Sequence, residues 1–233
     1  PDTTRAVGDT DEGGHGTLVT GIIAATREDN FATAVDTGVG IQGIAYEASI
    51  LDIRADSPGS CATAGVGENC LYFDDDLVTA LEYAVDNGAD IINLSLGGSI
   101  EPDPRLEDAV VAAANAGVLV VIAAGNESDP SPNEPAYVAG NAAFNTQGRV
   151  VAVGAITADD PDTPADESGV IAGFSNRAGD SQDFYILAPG DDIISTGPDD
   201  DVAFPGDAAN DPDSIGDYYV VGGTSFATPY VSG

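Results

Sequence analysis

The sequence predicts an α/β fold: three layers, with a mostly parallel sheet carrying helices on both faces. Three observations predict it. Short apolar runs of strand length alternate with segments whose apolar residues recur at three and four. The run Val118–Ala124 is apolar throughout, as a strand covered on both faces requires. The helical segments stop at Gly88 and Gly117, where glycine suits a left-handed C-terminal residue. Strands alternating with helices imply βαβ units and therefore parallel pairing. The 233 residues suit one large domain. Residues 1–233 read as a single domain, incomplete at both ends, because no Met opens the chain and it stops within Pro229-Tyr230-Val231-Ser232-Gly233. A signal peptide would then lie upstream.

Residues 1–14 are polar and Gly/Asp-rich, and read as loop. From His15 the chain turns apolar, and Leu18, Val19, Ile22 and Ile23 fall on one helical face. Gly16 and Gly21 resist helix formation and are expected to serve close packing. Ala48–Ile53 reads as a short strand. Asp74–Asn87 reads as a helix, with Asp74, Asp75 and Asp76 in the first turn where the dipole favours them. Ile91, Ile92, Leu94 and Leu96 form the next strand, and Leu106–Ala116 a further helix. Val150–Ile156 is another strand, and the last helix begins near Ser225. Residues 27–38, 158–168 and 198–217 are acidic and read as surface loops.

Composition excludes whole classes of function. The net charge is −34, with 6 basic residues against 40 acidic ones. Such a field repels phosphate, so nucleic acid is not an expected partner. The acidity suits a solvated surface in a salty setting, and carboxylate sites for calcium are the other reading. No apolar stretch is long enough to span a membrane. Cys61 and Cys70 bracket a short loop holding Gly65 and Gly67, and a small disulfide-closed loop is expected. That would place the protein in an oxidising compartment; two free thiols are the alternative.

Four places can carry chemistry. His15, the only histidine, sits in Gly13-Gly14-His15-Gly16-Thr17 at the start of an apolar helix. Imidazole titrates near neutrality and can take and return a proton, although a lone histidine in a glycine loop is by itself more often a surface residue. Ser225 follows Gly222-Gly223-Thr224 and opens a helix of small residues. There a serine is either a cap or a nucleophile beside backbone N–H donors. Asn126 closes Ala123-Ala124-Gly125-Asn126 just past the buried strand, where parallel sheets bind ligands. Its amide can donate to a developing oxyanion, or it can simply turn the chain. Ser95-Leu96-Gly97-Gly98 also ends a strand, and its extended backbone suits pairing with a peptide.

Together these segments resemble the subtilisin-like serine proteases. His15-Gly16-Thr17-x-Val19-x-Gly21-x-Ile23-Ala24-Ala25, Asn93-x-Ser95-Leu96-Gly97-Gly98, Ala124-Gly125-Asn126 and Gly223-Thr224-Ser225-x-Ala227-x-Pro229-x-Val231-x-Gly233 stand in that family's order. The resemblance implies a serine endopeptidase acting on proteins or peptides. His15 is then the base, Ser225 the nucleophile, and Asn126 an oxyanion donor with the Ser225 N–H. Ser95, Leu96, Gly97 and Gly125 would bind the substrate, with residues 95–97 and 123–125 walling the pocket for the residue before the scissile bond. No cofactor is implied for the chemistry, while a structural calcium is implied near Gly38–Gly43. The family's catalytic Asp stands on an apolar strand upstream of the histidine, and only 14 residues precede His15. Asp2 lacks that strand, and Asp9 and Asp11 lie in the loop leading to His15. The Asp is therefore expected upstream of Pro1, and the 233 residues alone are expected to be nearly inert. Shorter phrases, among them Phe174-Ser175-Asn176-Arg177-Ala178-Gly179, resemble subtilases of Gram-negative bacteria, some of them autotransporter passengers. These imply a secreted or cell-surface bacterial enzyme.

Two rival readings remain. A catalytically dead domain could keep this fold for binding. Gly38-Val39-Gly40-Ile41-Gln42-Gly43 matches the dinucleotide G-x-G-x-x-G literally, but an acidic loop precedes it and Ile44-Ala45-Tyr46 follows, where a strand and a helix are required.

Overall fold

The central strands bury apolar side chains on both faces, which sets the layering seen in the computed structural model. Residues 11, 13–26, 41–61, 70–98, 103–141, 144, 146–157, 169–197 and 218–233 are described. The elements are α1 (His15–Ala24), α2 (Asp74–Asp86), β1 (Ile91–Leu94), α3 (Pro104–Asn115), β2 (Leu119–Ala123), β3 (Val150–Ile156), β4 (Tyr185–Pro189), β5 (Ile193–Thr196), β6 (Tyr218–Val221) and α4 (Thr224–Ser232), with short 3₁₀ turns at Ala136–Ala139 and Gly179–Phe184. Strands β1-β2-β3-β4 form one sheet in that order, every neighbour parallel. β5 and β6 pair antiparallel in a separate ribbon.

Side chains alternate across the sheet, so β2 feeds two cores. Val120 and Ile122 pack with Leu77, Leu81 and Ala84 of α2 and Leu106, Val110 and Ala113 of α3. Val121 turns the other way, with Val153, Ala155 and Ala188, onto Ala227 of α4. Leu18, Val19 and Ile22 of α1 extend that second layer against Ile193 and Phe226. Gly21 matters here, since a Cβ would collide with the Thr196 and Ser195 hydroxyls of β5. Gly16 does not share that role: it is exposed, and its nearest neighbour is Asp11.

The helix boundaries follow local chemistry. α3 starts two residues before the expected Leu106, because the Asp103 carboxylate accepts from the Arg105 N–H at 2.8 Å and Pro104 occupies the first helical position. Gly88 and Gly117 take positive φ of 76° and 101° at the C-termini of α2 and α3. The expected strand at Ala48–Ile53 does not form: those residues pair with no strand among the described residues, and Ile50 and Leu51 are 44 % and 42 % exposed. Its β-branched residues supply propensity, but a strand needs a partner. The Gly38–Gly40 stretch and the acidic loops 158–168 and 198–217 lie outside the described residues.

Cys61 and Cys70 are joined by a disulfide that packs on Gly13, where a Cβ would come within 3.0 Å of the Cys61 Cβ. The bridge spans 9 residues of sequence, so replacing both cysteines by serine is expected to lower the unfolding free energy by about 2–3 kcal/mol. Urea unfolding reads this as a lower midpoint; an unchanged midpoint would refute it.

Candidate functional site

The C-terminal ends of β1 and β2 and the N-termini of α1 and α4 meet at one cleft of about 250 Å³. Its walls include His15, Ser95, Leu96, Gly97, Gly125, Asn126 and Ser225, so every catalytic and substrate-binding candidate from the sequence lines one concavity.

α4 presents Ser225 in its first turn. Gly223 precedes it at φ 148°, which glycine tolerates best. Pro229 lies inside α4 and has no N–H, so the Ser225 carbonyl loses its helical donor. The Ser95 hydroxyl supplies the bond instead, at 2.6 Å. That hydroxyl accepts from the Asn93 amide at 2.9 Å, and the Asn93 oxygen accepts from Ser232 at 2.8 Å. This chain of bonds pins both ends of α4 to the end of β1. The Ser225 hydroxyl donates to the Ser95 carbonyl at 3.2 Å.

Thr224 is the residue that sequence reasoning missed. It is buried, and its N–H and hydroxyl both donate to the Asn126 Oδ1, at 2.8 and 2.9 Å. Two donors on one oxygen settle which end of the amide is which. The donating Nδ2 is therefore the end of the amide not held by Thr224, on a residue that lines the cleft. The Thr224 oxygen also accepts from the Gly125 N–H at 3.2 Å. Only the motif position of Thr224, one before Ser225, hinted at this clamp.

His15 is half-buried on the first turn of α1, and its ring lies 5.4 Å from that of Phe226. Gly14 cannot cap the helix with a side chain, so Asp11 does so from outside. Its carboxylate accepts from the Gly14 N–H at 2.9 Å and from the Thr17 N–H and hydroxyl at 2.8 and 2.9 Å. Asp11 is thus committed to the helix end. Among the described residues no carboxylate hydrogen-bonds the imidazole.

Burial pushes the His15 imidazole below its ordinary value near 6.5, and the nearby Asp11 charge partly opposes this. With one histidine in the chain, proton NMR gives a single imidazole titration. Its midpoint is expected below 6.5, and lower still in Asp11→Asn; a midpoint at or above 6.5 would overturn the assignment of causes. The sign for stability follows. As pH falls below about 6.5 the unfolded chain takes up a proton that the folded chain still declines, so His15 costs stability from there down to its folded pKa.

Among the described residues no group of three or more His, Cys, Asp or Glu is placed to hold a metal. No helix there is long and apolar enough to cross a membrane.

Comparison with known proteins gives a consistent result. The Subtilase family model matches residues 1–233. The major intracellular serine protease of Bacillus subtilis is 34% identical over 225 residues, covering 96% of this chain and 54% of that protein. Subtilisin BL of Lederbergia lenta is 33% identical over 226 residues, covering 96% and 62%. Among solved structures, the self-cleaved protease domain of PatA superposes with a TM-score of 0.64 at 31% identity, covering 94% of this chain and 64% of that one. Sphericase does so at 0.66 and 27%, covering 96% and 62%. The chain spans about half the length of the first of these relatives.

Proposed function

This chain belongs to the subtilase family, and from that premise we propose that its cleft hydrolyses peptide bonds through an acyl-enzyme on Ser225. His15 takes the Ser225 proton as the oxygen attacks the peptide carbonyl, then returns a proton to the leaving amine. The Asn126 Nδ2 and the Ser225 N–H, a first-turn donor of α4, stabilise the oxyanion. Water clears the acyl group by the same route in reverse. The substrate backbone pairs with Ser95–Gly97 as an added strand. No carboxylate among the described residues bonds His15, and an imidazole without an orienting carboxylate is a slow base. No step runs through a metal. The disulfide supports an oxidising compartment, secreted or at the cell surface.

One observation carries the reading: Thr224 fastens the Asn126 oxygen, and Asn126 lines the same cleft as Ser225 and His15. A fluorophosphonate tests it. In the full-length protein the reagent is expected to modify one peptide, the one holding Ser225. A folded full-length protein that resists labelling would favour the second reading, a dead domain that binds polypeptides.

A further inference from the structure

The turn that delivers His15 leans on the disulfide. Cys70 lines the cleft beside Tyr72 and His15, and it is bonded to Cys61. Gly13, which shortly precedes His15, is buried against that bridge. A Cβ at Gly13 would stand 3.0 Å from the Cys61 Cβ and 3.3 Å from the Cys70 Sγ. The sulfur bridge is thus both a piece of the cleft wall and the backing of the backbone that carries the imidazole.

Other ties hold this wall, and they are weaker. The Leu71 carbonyl accepts from the Ser57 N–H at 2.7 Å, and the Leu71 N–H donates to the Ser60 hydroxyl at 3.1 Å. Asp56 and Tyr72 form an isolated antiparallel bridge. Leu71 is exposed, so water competes for its bonds, whereas it cannot loosen the disulfide. Tyr72 links the wall to the cap of α1. Burial pushes its phenol up, the charges of Asp56 and then Asp11 push it further, and Arg54 opposes them. The Asp11 carboxylate that closes the first turn of α1 therefore stands near the same wall.

The two sulfurs differ in access. Cys61 is 5 % exposed, whereas Cys70 is half-buried and borders the cleft, so Cys70 is the sulfur an external reagent meets. We propose that the Cys61–Cys70 pair is an oxidation switch on this site: as thiols it leaves the wall and the His15 turn loose, and as a disulfide it sets them for catalysis. This rests on the peptidase reading above. The exchange balances. The Cys70 thiolate attacks one sulfur of an external disulfide, whose other half leaves as a thiolate and takes up a proton. Cys61, deprotonated in turn, attacks the Cys70 sulfur and displaces the remaining half. Two electrons and two protons pass from the protein pair to the external disulfide, which ends as two thiols. A chain that still holds thiols in a reducing compartment is then a poor peptidase, and it gains rate on reaching an oxidising one.

Full-length protein is compared with its disulfide intact and after dithiothreitol, below the melting temperature of both forms. Reduction is expected to slow fluorophosphonate labelling of Ser225 by about ten- to a hundredfold, the scale of a small misplacement of a catalytic group, and glutathione disulfide to restore it. The lone histidine gives a readout without turnover. Burial holds its titration midpoint below 6.5, and reduction is expected to raise that midpoint toward 6.5. Gly13→Ala keeps the bond but crowds it. It is expected to slow labelling of the oxidised protein, with reduction then costing less than in the parent, because both changes disturb one contact. If reduction unfolds the chain, this variant decides alone. A folded reduced protein that labels at the oxidised rate overturns the inference, as does Gly13→Ala labelling at the parent rate. An oxidised parent that leaves Ser225 unlabelled sinks the chemistry instead. In that case an unmoved His15 midpoint on reduction overturns the coupling as well, and a raised midpoint upholds it.

Discussion

Ser225→Ala and His15→Ala in the full-length protein are each expected to lower kcat by about a millionfold, and the double variant by no more than either single one. The magnitude is carried over from subtilisin, where the same pair behaves this way. The non-additivity has a physical cause. The serine oxygen is a poor nucleophile until its proton leaves, and the imidazole has nothing to deprotonate once that oxygen is gone. What survives is oxyanion stabilisation and binding, worth roughly 10³–10⁴ over water. Peptide-anilide hydrolysis measures all three variants. A double variant much worse than the single ones would mean that His15 and Ser225 do not act as one unit. Thermal melting controls for folding, since Ser225 anchors α4 through its carbonyl, which alanine keeps.

Asn126→Ala is expected to lower kcat by about 10²–10³ with KM little changed, the loss found on removing this type of donor in subtilisin. The split between kcat and KM is the informative part. A donor aimed at the oxyanion acts on charge that develops only in the transition state, so ground-state binding is spared. Thr224→Val provides the structural control. It removes the hydroxyl that donates to the Asn126 oxygen at 2.9 Å while the backbone N–H bond at 2.8 Å remains. Its kcat is expected to fall by less than that of Asn126→Ala. An Asn126→Ala variant with unchanged kcat and raised KM would instead make Asn126 a substrate-binding residue.

Much of this architecture could be read from residue order. The α2 and α3 segments were legible because apolar spacing and a stop glycine agree, and local agreement of that kind survives folding. β2 and β3 were legible as unbroken apolar runs. β4, β5 and β6 were not. Tyr185–Pro189 is half exposed and shows no clean alternation, and β5 and β6 are brought together across a long acidic stretch. Ala48–Ile53 was misread for the converse reason, since it has strand composition without a strand beside it.

The sequence by itself determined the layered α/β class and the chemical identity of the candidates His15, Asn126 and Ser225, because short motifs record which atoms are available. It did not show how those atoms are aimed. Asn126 is oriented by Thr224, 98 residues away, and the Ser225 carbonyl, left without a helical donor by Pro229, is held by Ser95 across 130 residues. Glu127 joins Asn133 and Asn176 only when two loops close on the end of β2. Hydrogen bonds act over about 3 Å, so the direction in which a polar atom points is set by whichever group the folded chain brings within that distance.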